Sequence, residues 1–232
     1  MSADTSGTDD PAWAGAPWTK APVQVGPRFV AALDWAMAVH GTQRKKGSDV
    51  PYVAHLLAVA GLVLDDGGSE KQAAAALLHD VLEDTEATVD ELRARFGKKV
   101  TRIVVACTDV APTGKGRKKE TARDATTWRA REERSIAKLS TPRRRGVLRV
   151  RAAGALVNAR SIVADLRRIG PETWTRFHAG AVDQLWYHRS VAVALQQRHP
   201  GLLTDELRVT VREMENLAGW WFDLGDPQTG RS

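Results

Sequence analysis

Apolar positions recur at helical spacing along most of the chain. From residue 27 to 40, Phe29, Leu33, Ala36 and Val39 stand three or four apart, Pro27 sits early and Gly41 closes the run, which predicts a first core helix. Residues 52–64, entered from Pro51, predict a second with Val53, Leu56, Leu57, Ala60 and Val63 as its stripe. Asp65-Asp66-Gly67-Gly68 ends it, and Ser69-Glu70-Lys71-Gln72 has the form of a capping box for the next. That next run, residues 73–85, reads as one continuous helix. Ala74, Leu77, Val81 and Leu82 share one arc, while His79, Glu83, Asp80 and Asp84 fall at about 0°, 40°, 100° and 140° as a contiguous polar wedge.

The pattern continues in the same manner. Thr88-Val89-Asp90-Glu91 is a second capping box and Gly97 a stop, giving a short helix through Phe96 and an apolar one over 98–107. Residues 112–119 read as a connector and 120–139 as a polar helix. Ser140-Thr141-Pro142 predicts the start of the longest helix, ending at Gly170. A short helix over 171–177 and longer ones over 182–198 and 203–221 complete the series. With no internal repeat, no Gly-rich phosphate loop after a strand and no alternation of strands with helices, the expectation is a compact all-α bundle. Residues 27–222 form the predicted domain, 1–26 a flexible arm whose Trp13 and Trp18 are able to dock, and 223–232 a loose tail.

Composition adds constraints rather than an activity. At 43% hydrophobic and 27% charged over 232 residues, the chain can bury one substantial core, and no apolar run approaches the length of a membrane span. The start lacks the basic-then-apolar order of a secretory signal. A single cysteine, Cys107, excludes an internal disulfide and fits a reducing, cytoplasmic setting; its apolar run marks it as a core residue. The net charge of +6 is concentrated between residues 115 and 151, where about fourteen Lys and Arg face four acids. Such a stretch suits polyphosphate or nucleic acid, or is a solvated helix face; with only Trp128 inside it, a single-strand stacking platform is disfavoured.

The polar wedge offers an imidazole and three carboxylates in little more than one turn, as a solvated face or as a site. His40 falls at a helix end, where a ring caps carbonyls, and His55 near a helix start. In Gln43-Arg44-Lys45-Lys46-Gly47-Ser48 three cations adjoin a turn that suits phosphate oxygens, or form an ordinary basic loop.

Taken in order, Gln43-Arg44-Lys45-Lys46-Gly47, Pro51-Tyr52-Val53-Ala54-His55, Ala76-Leu77-Leu78-His79-Asp80-Val81-Leu82-Glu83-Asp84-Thr85 and Phe96-Gly97 resemble the HD-domain phosphohydrolases, specifically the small alarmone hydrolases related to the RelA/SpoT-type guanosine tetraphosphate hydrolase domain. The similarity extends, more weakly, through Asn158-Ala159-Arg160 to the region of Trp174 to Arg189. The resemblance implies His55, His79 and Asp80 as ligands of a divalent metal, usually manganese, a donor set that suits a borderline ion and leaves room for water. It implies Glu83 and Asp84 as the acidic pair that positions or activates the attacking water, Arg44, Lys45 and Lys46 as contacts for phosphates, and Asn158 as a nucleotide contact. The implied reaction is hydrolysis of a 3′-linked pyrophosphate from a guanine nucleotide.

One departure stands against these matches. Where the family has an Ala-Asp-Lys-Leu-His-Asn type motif, this chain reads Ala153-Gly154-Ala155-Leu156-Val157-Asn158, so Gly154 replaces the last metal-ligand Asp, with Ala155 and Val157 for Lys and His. Loss of a carboxylate weakens metal binding unless another group, Asp109 or Asp165 for instance, takes its place. The expectation is a metal-dependent phosphohydrolase, with a degenerate family member that binds a nucleotide or partner without turnover as the alternative, and nucleic-acid association through the basic segment as a third.

Overall fold

The computed structural model describes residues 23–108, 125–141 and 144–225. Among these described residues nine α-helices follow in chain order: α1 (Pro27–His40), α2 (Val53–Asp65), α3 (Glu70–Leu77), α4 (Val81–Asp84), α5 (Val89–Cys107), α6 (Ala125–Ser140), α7 (Arg145–Ile169), α8 (Ala181–Arg198) and α9 (Leu202–Gly225), with a 3-10 helix (Gly170–Arg176) between α7 and α8. Among the described residues the sole β feature is one antiparallel bridge between Arg44 and Pro51, so the all-α expectation holds.

Two helices organise the core. In α3 the run Ala73 to Ala76 and Leu77 is completely buried, and these small side chains let the helix pack against α1, α2, α5 and α7. α7 runs through the middle and meets α2, α3, α5, α8 and α9, burying Val150, Leu156 and Leu166 fully. Where α7 faces the α2–α3 corner it carries a cation inward. Arg149, almost wholly buried, donates from Nε to Asp66 Oδ2 at 2.6 Å, from Nη1 to Gln72 Oε1 at 2.6 Å and from Nη2 to the Asp66 carbonyl at 2.9 Å. Burial alone would raise the Asp66 carboxyl, but hydrogen bonds from Arg149 and His199 hold it below its ordinary value. The guanidinium thereby ties three elements together with each of its three nitrogens donating.

Both predicted capping boxes form, at Ser69/Gln72 and Thr88/Glu91. Gly97 takes φ +75° inside α5 and kinks it where a stop was expected, and Cys107 is buried as a core residue. Two expectations are corrected. The stretch 73–85 is not one helix: α3 ends at Leu77, residues 78–80 form a turn, and α4 is a single new turn. The longest helix begins at Arg145 rather than at Ser140, because Ser140 is the last residue of α6 and Arg144 is the extended residue before α7. Trp13, Trp18, Asp109, the connector 112–119 and the tail beyond residue 225 lie outside the described residues.

Candidate metal and nucleotide site

The break between α3 and α4 builds the centre of the site. Here the backbone makes tight three-residue turns, Leu78 N–H to the Ala75 carbonyl at 3.3 Å and Val81 N–H to the Leu78 carbonyl at 3.2 Å. The His79 ring intervenes directly, with Nδ1 2.8 Å from the Ala76 carbonyl. A carbonyl can only accept, so Nδ1 carries the proton, and Nε2 points to the site. On a regular helix His79 and Asp80 would diverge by 100°. The turn instead brings His79 Nε2 to 3.0 Å from Asp80 Oδ2.

Asp80 Oδ2 is a point of convergence. Tyr52 Oη donates to it at 2.5 Å, and His55 Nε2, from the first turn of α2, lies 3.6 Å away. The rings of His40, Tyr52, His55 and His79 follow one another at 5.0, 5.3 and 5.4 Å between centroids, forming a row that fixes the two imidazoles. Burial would push the Asp80 carboxyl up, but the adjacent His79 and His55 rings and the hydrogen bond from Tyr52 hold it well below the usual carboxylate range. One ligand atom each from His55, His79 and Asp80 lies within 4.8 Å of the others. Two imidazole nitrogens and an ionised carboxylate at this spacing have the chemistry to hold a divalent ion.

The adjacent acids are held differently. Asp84 Oδ2 accepts from Gln43 Nε2 at 3.0 Å, while Gln43 Oε1 accepts from His40 Nδ1 at 2.8 Å. Burial raises the Asp84 carboxyl, the Gln43 hydrogen bond opposes this and the charge on Asp80 adds to the rise. A carboxyl with a raised pKa beside an ionised one is a group suited to exchanging protons. Glu83 lines the same cleft on α4.

A cleft of about 440 Å³ opens over this centre, with Lys45, Lys46, Tyr52, His55, His79, Asp80, Glu83, Asp84 and Asn158 in its wall. Lys45 Nζ stands 3.4 Å from Ser161 Oγ, and Lys46 Nζ lies 5.4 Å from the centroid of the Phe177 ring, where burial lowers its pKa. Both lysines ride on a short hairpin closed by Lys45 N–H to the Val50 carbonyl and Tyr52 N–H to the Gln43 carbonyl, each 2.9 Å. Gly47 turns that hairpin at φ +72°, and a Cβ there would stand 2.7 Å from Cδ of Arg176, so a larger residue would strain the turn and push the Arg176 side chain aside. Arg44 is not brought to the cleft: its Nη1 donates to the Asp49 carbonyl of its own loop at 2.5 Å, and it lines neither cavity.

Gly154 does face the centre. A Cβ built on it would lie 3.7 Å from His79 Nε2, in ordinary contact, and a second cavity of about 250 Å³ extends past it between α6, α7 and α8. Asp165 does not fill the position, because Arg176 binds it at 2.5 Å and Arg168 at 3.2 Å. Sequence reasoning passed over Tyr52 and Gln43 as site residues, although both stand inside the quoted motifs; a tyrosine three residues before a candidate ligand histidine was the available signal. It also passed over Glu132 and His188, which line both cavities from α6 and α8. In the described part of the basic segment four arginines are engaged within the chain: Arg129 with Glu133, Asp183 and the Trp186 ring, Arg131 with Glu132, Arg149 as above, and Arg151 with the Cys107 carbonyl and Ser135.

Comparison with known proteins agrees with this geometry. A human guanosine-3′,5′-bis(diphosphate) 3′-pyrophosphohydrolase, MESH1, is 33% identical over 151 residues, which is 64% of this chain and 74% of the human protein. An Aquifex aeolicus protein named as the same pyrophosphohydrolase is 39% identical over 79 residues, 34% of this chain but 11% of that protein. Against such long bacterial relatives the chain spans about a tenth of their length. A solved structure described as a metazoan ortholog of SpoT that hydrolyses ppGpp has the same fold, with a TM-score of 0.62, 24% identity and coverage of 87% of this chain and 99% of that one. A Listeria monocytogenes structure gives 0.53 at 26% identity, covering 73% and 99%. The HD domain model matches residues 32–179, the span that holds the His-Asp pair, the hairpin lysines and Gly154, and the chain belongs to the HD domain family.

Proposed function

We propose that the chain is a metal-dependent phosphohydrolase that removes a 3′-linked pyrophosphate from a guanine nucleotide such as guanosine-3′,5′-bis(diphosphate), with manganese as its ion and the cytoplasm as its setting. The observation that carries this reading is the convergence of His55, His79 and Asp80 beneath a cleft whose rim holds Lys45 and Lys46. The relatives named above support the substrate class. No helix among the described residues is long and apolar enough to cross a membrane.

His55, His79 and Asp80 would hold a divalent ion, which would supply a lowered water pKa and a positive charge against a phosphoryl oxygen. The remaining work falls to the protein. Lys45 and Lys46 attract the diphosphate and orient it, and Asn158 hydrogen-bonds the nucleotide on the α7 side of the cleft. Water attacks the 3′-linked phosphorus, the bond from that phosphorus to the ribose 3′ oxygen breaks, and pyrophosphate leaves. Asp84, with Glu83 beside it, takes the proton of the attacking water and returns one to the 3′ oxygen, a role suited to its raised pKa. Gln43 holds Asp84 in position from behind. His40 completes this support through its ring proton to Gln43.

Gly154 supports the second reading, a nucleotide-binding protein without turnover, because the position facing His79 carries no carboxylate. Purified protein loaded with manganese and incubated with guanosine-3′,5′-bis(diphosphate) decides between them. Release of pyrophosphate is expected; tight nucleotide binding with no release overturns the hydrolase reading in favour of the second.

A further inference from the structure

The side of the metal centre left open by Gly154 is not without an acid. Glu132, on α6, lines both cavities together with His79, Asp80 and Asn158, and the smaller one also with Gly154. Its side chain is only 13% exposed. It is not one of the group formed by His55, His79 and Asp80, and its Oε1 accepts from the neighbouring Arg131, through Nη2 at 2.7 Å and Nε at 3.0 Å. Both bonds fall on the same oxygen, and Arg131 itself lines the smaller cavity. Asp165, the described alternative named from the sequence, is locked by two arginines.

We propose that Glu132 supplies from α6 the carboxylate that position 154 lacks, so that the metal centre is completed across the α6–α7 gap rather than from α7 itself. The inference rests on the metal-dependent reading above. Two features carry it. No other side chain comes between His79 Nε2 and α7 at Gly154, since a Cβ built there would meet that ring atom alone, at 3.7 Å, within 4 Å. Glutamate has three rotatable side-chain bonds and carries its carboxylate one bond further from the backbone than aspartate, which suits delivery from a more distant helix. A bound dication competes with Arg131 for the same charge, so the pair acts as a hold on the acid in the absence of metal.

Manganese titration of the full chain, with free ion read from its paramagnetic resonance signal, tests this without reference to turnover. Three variants are compared with the parent after thermal melting has shown that each is folded. Glu132→Gln, which keeps an acceptor for Arg131, is expected to weaken binding about tenfold or more. Arg131→Met is expected to tighten it, a direction that loss of packing would not produce. Gly154→Asp in the Glu132→Gln background is expected to restore the parent affinity. Unchanged affinity in Glu132→Gln, or weaker binding in Arg131→Met, overturns the role of Glu132 while leaving the metal-dependent reading in place. Absence of stoichiometric manganese from the parent overturns both.

Discussion

Gly154 on α7 and His79 in the turn after α3 face one another, and a Cβ on the glycine would stand 3.7 Å from Nε2 of the ring. That distance is ordinary van der Waals contact, so the position tolerates a methyl group without displacement. Glycine in a helix interior costs about 0.5–1 kcal/mol relative to alanine. Gly154→Ala is therefore expected to be neutral or to raise stability by up to about 1 kcal/mol, seen as a higher urea midpoint with an unchanged slope. A lower midpoint would show that the α7 backbone sits closer to His79 than described.

His188 gives the protein an acid-sensitive component. Burial alone lowers its pKa to about 4, from an ordinary value of 6.5. Between these values the unfolded chain binds the proton that the folded chain refuses, so stability is fully present above about pH 6.5 and falls as pH drops toward 4. The contribution is on the order of 3 kcal/mol over that window. Melting temperatures measured from pH 7 to pH 4 are expected to fall less steeply for His188→Gln than for the parent; parallel curves would assign the acid sensitivity to other groups.

Arg149 is an inward cation of the core, and its removal leaves Asp66 Oδ2 with His199 alone and Gln72 Oε1 with the Ser69 N–H alone. Breaking a buried pair on one side costs about 3–5 kcal/mol. Arg149→Met is expected to lose an amount of that order by denaturant unfolding. The double variant Arg149→Met with Asp66→Asn is expected to recover part of it, because no ionised carboxylate is then left behind. Equal losses in the two would place the cost in packing of the arginine stem rather than in charge.

Helical periodicity made nearly all of the architecture legible, because most of these helices bury one regular stripe and end at glycines or capping boxes that act locally. The site was legible in its residues more than in its shape. A helical wheel grouped His79, Asp80, Glu83 and Asp84 correctly as one polar cluster, yet it did so on a continuous helix that the chain does not form. The side chain that competes for a backbone carbonyl, His79 with Ala76, lies outside what periodicity describes. Contributions from distant segments were equally invisible. Gln43 reaches Asp84 across 41 positions, and Glu132 lines the Asp84 cleft from α6.

The turn between α3 and α4 is held by the protein's own bonds, the His79 ring on the Ala76 carbonyl and the Tyr52 hydroxyl on Asp80. The consequence concerns time rather than affinity. Because these bonds within the chain hold the two proposed ligand atoms, His79 Nε2 and Asp80 Oδ2, 3.0 Å apart, ion loading is expected to require no refolding of the segment. Its rate should then follow the exchange of water from the incoming ion, and should differ between metals as their hydration does rather than as the protein's motions do.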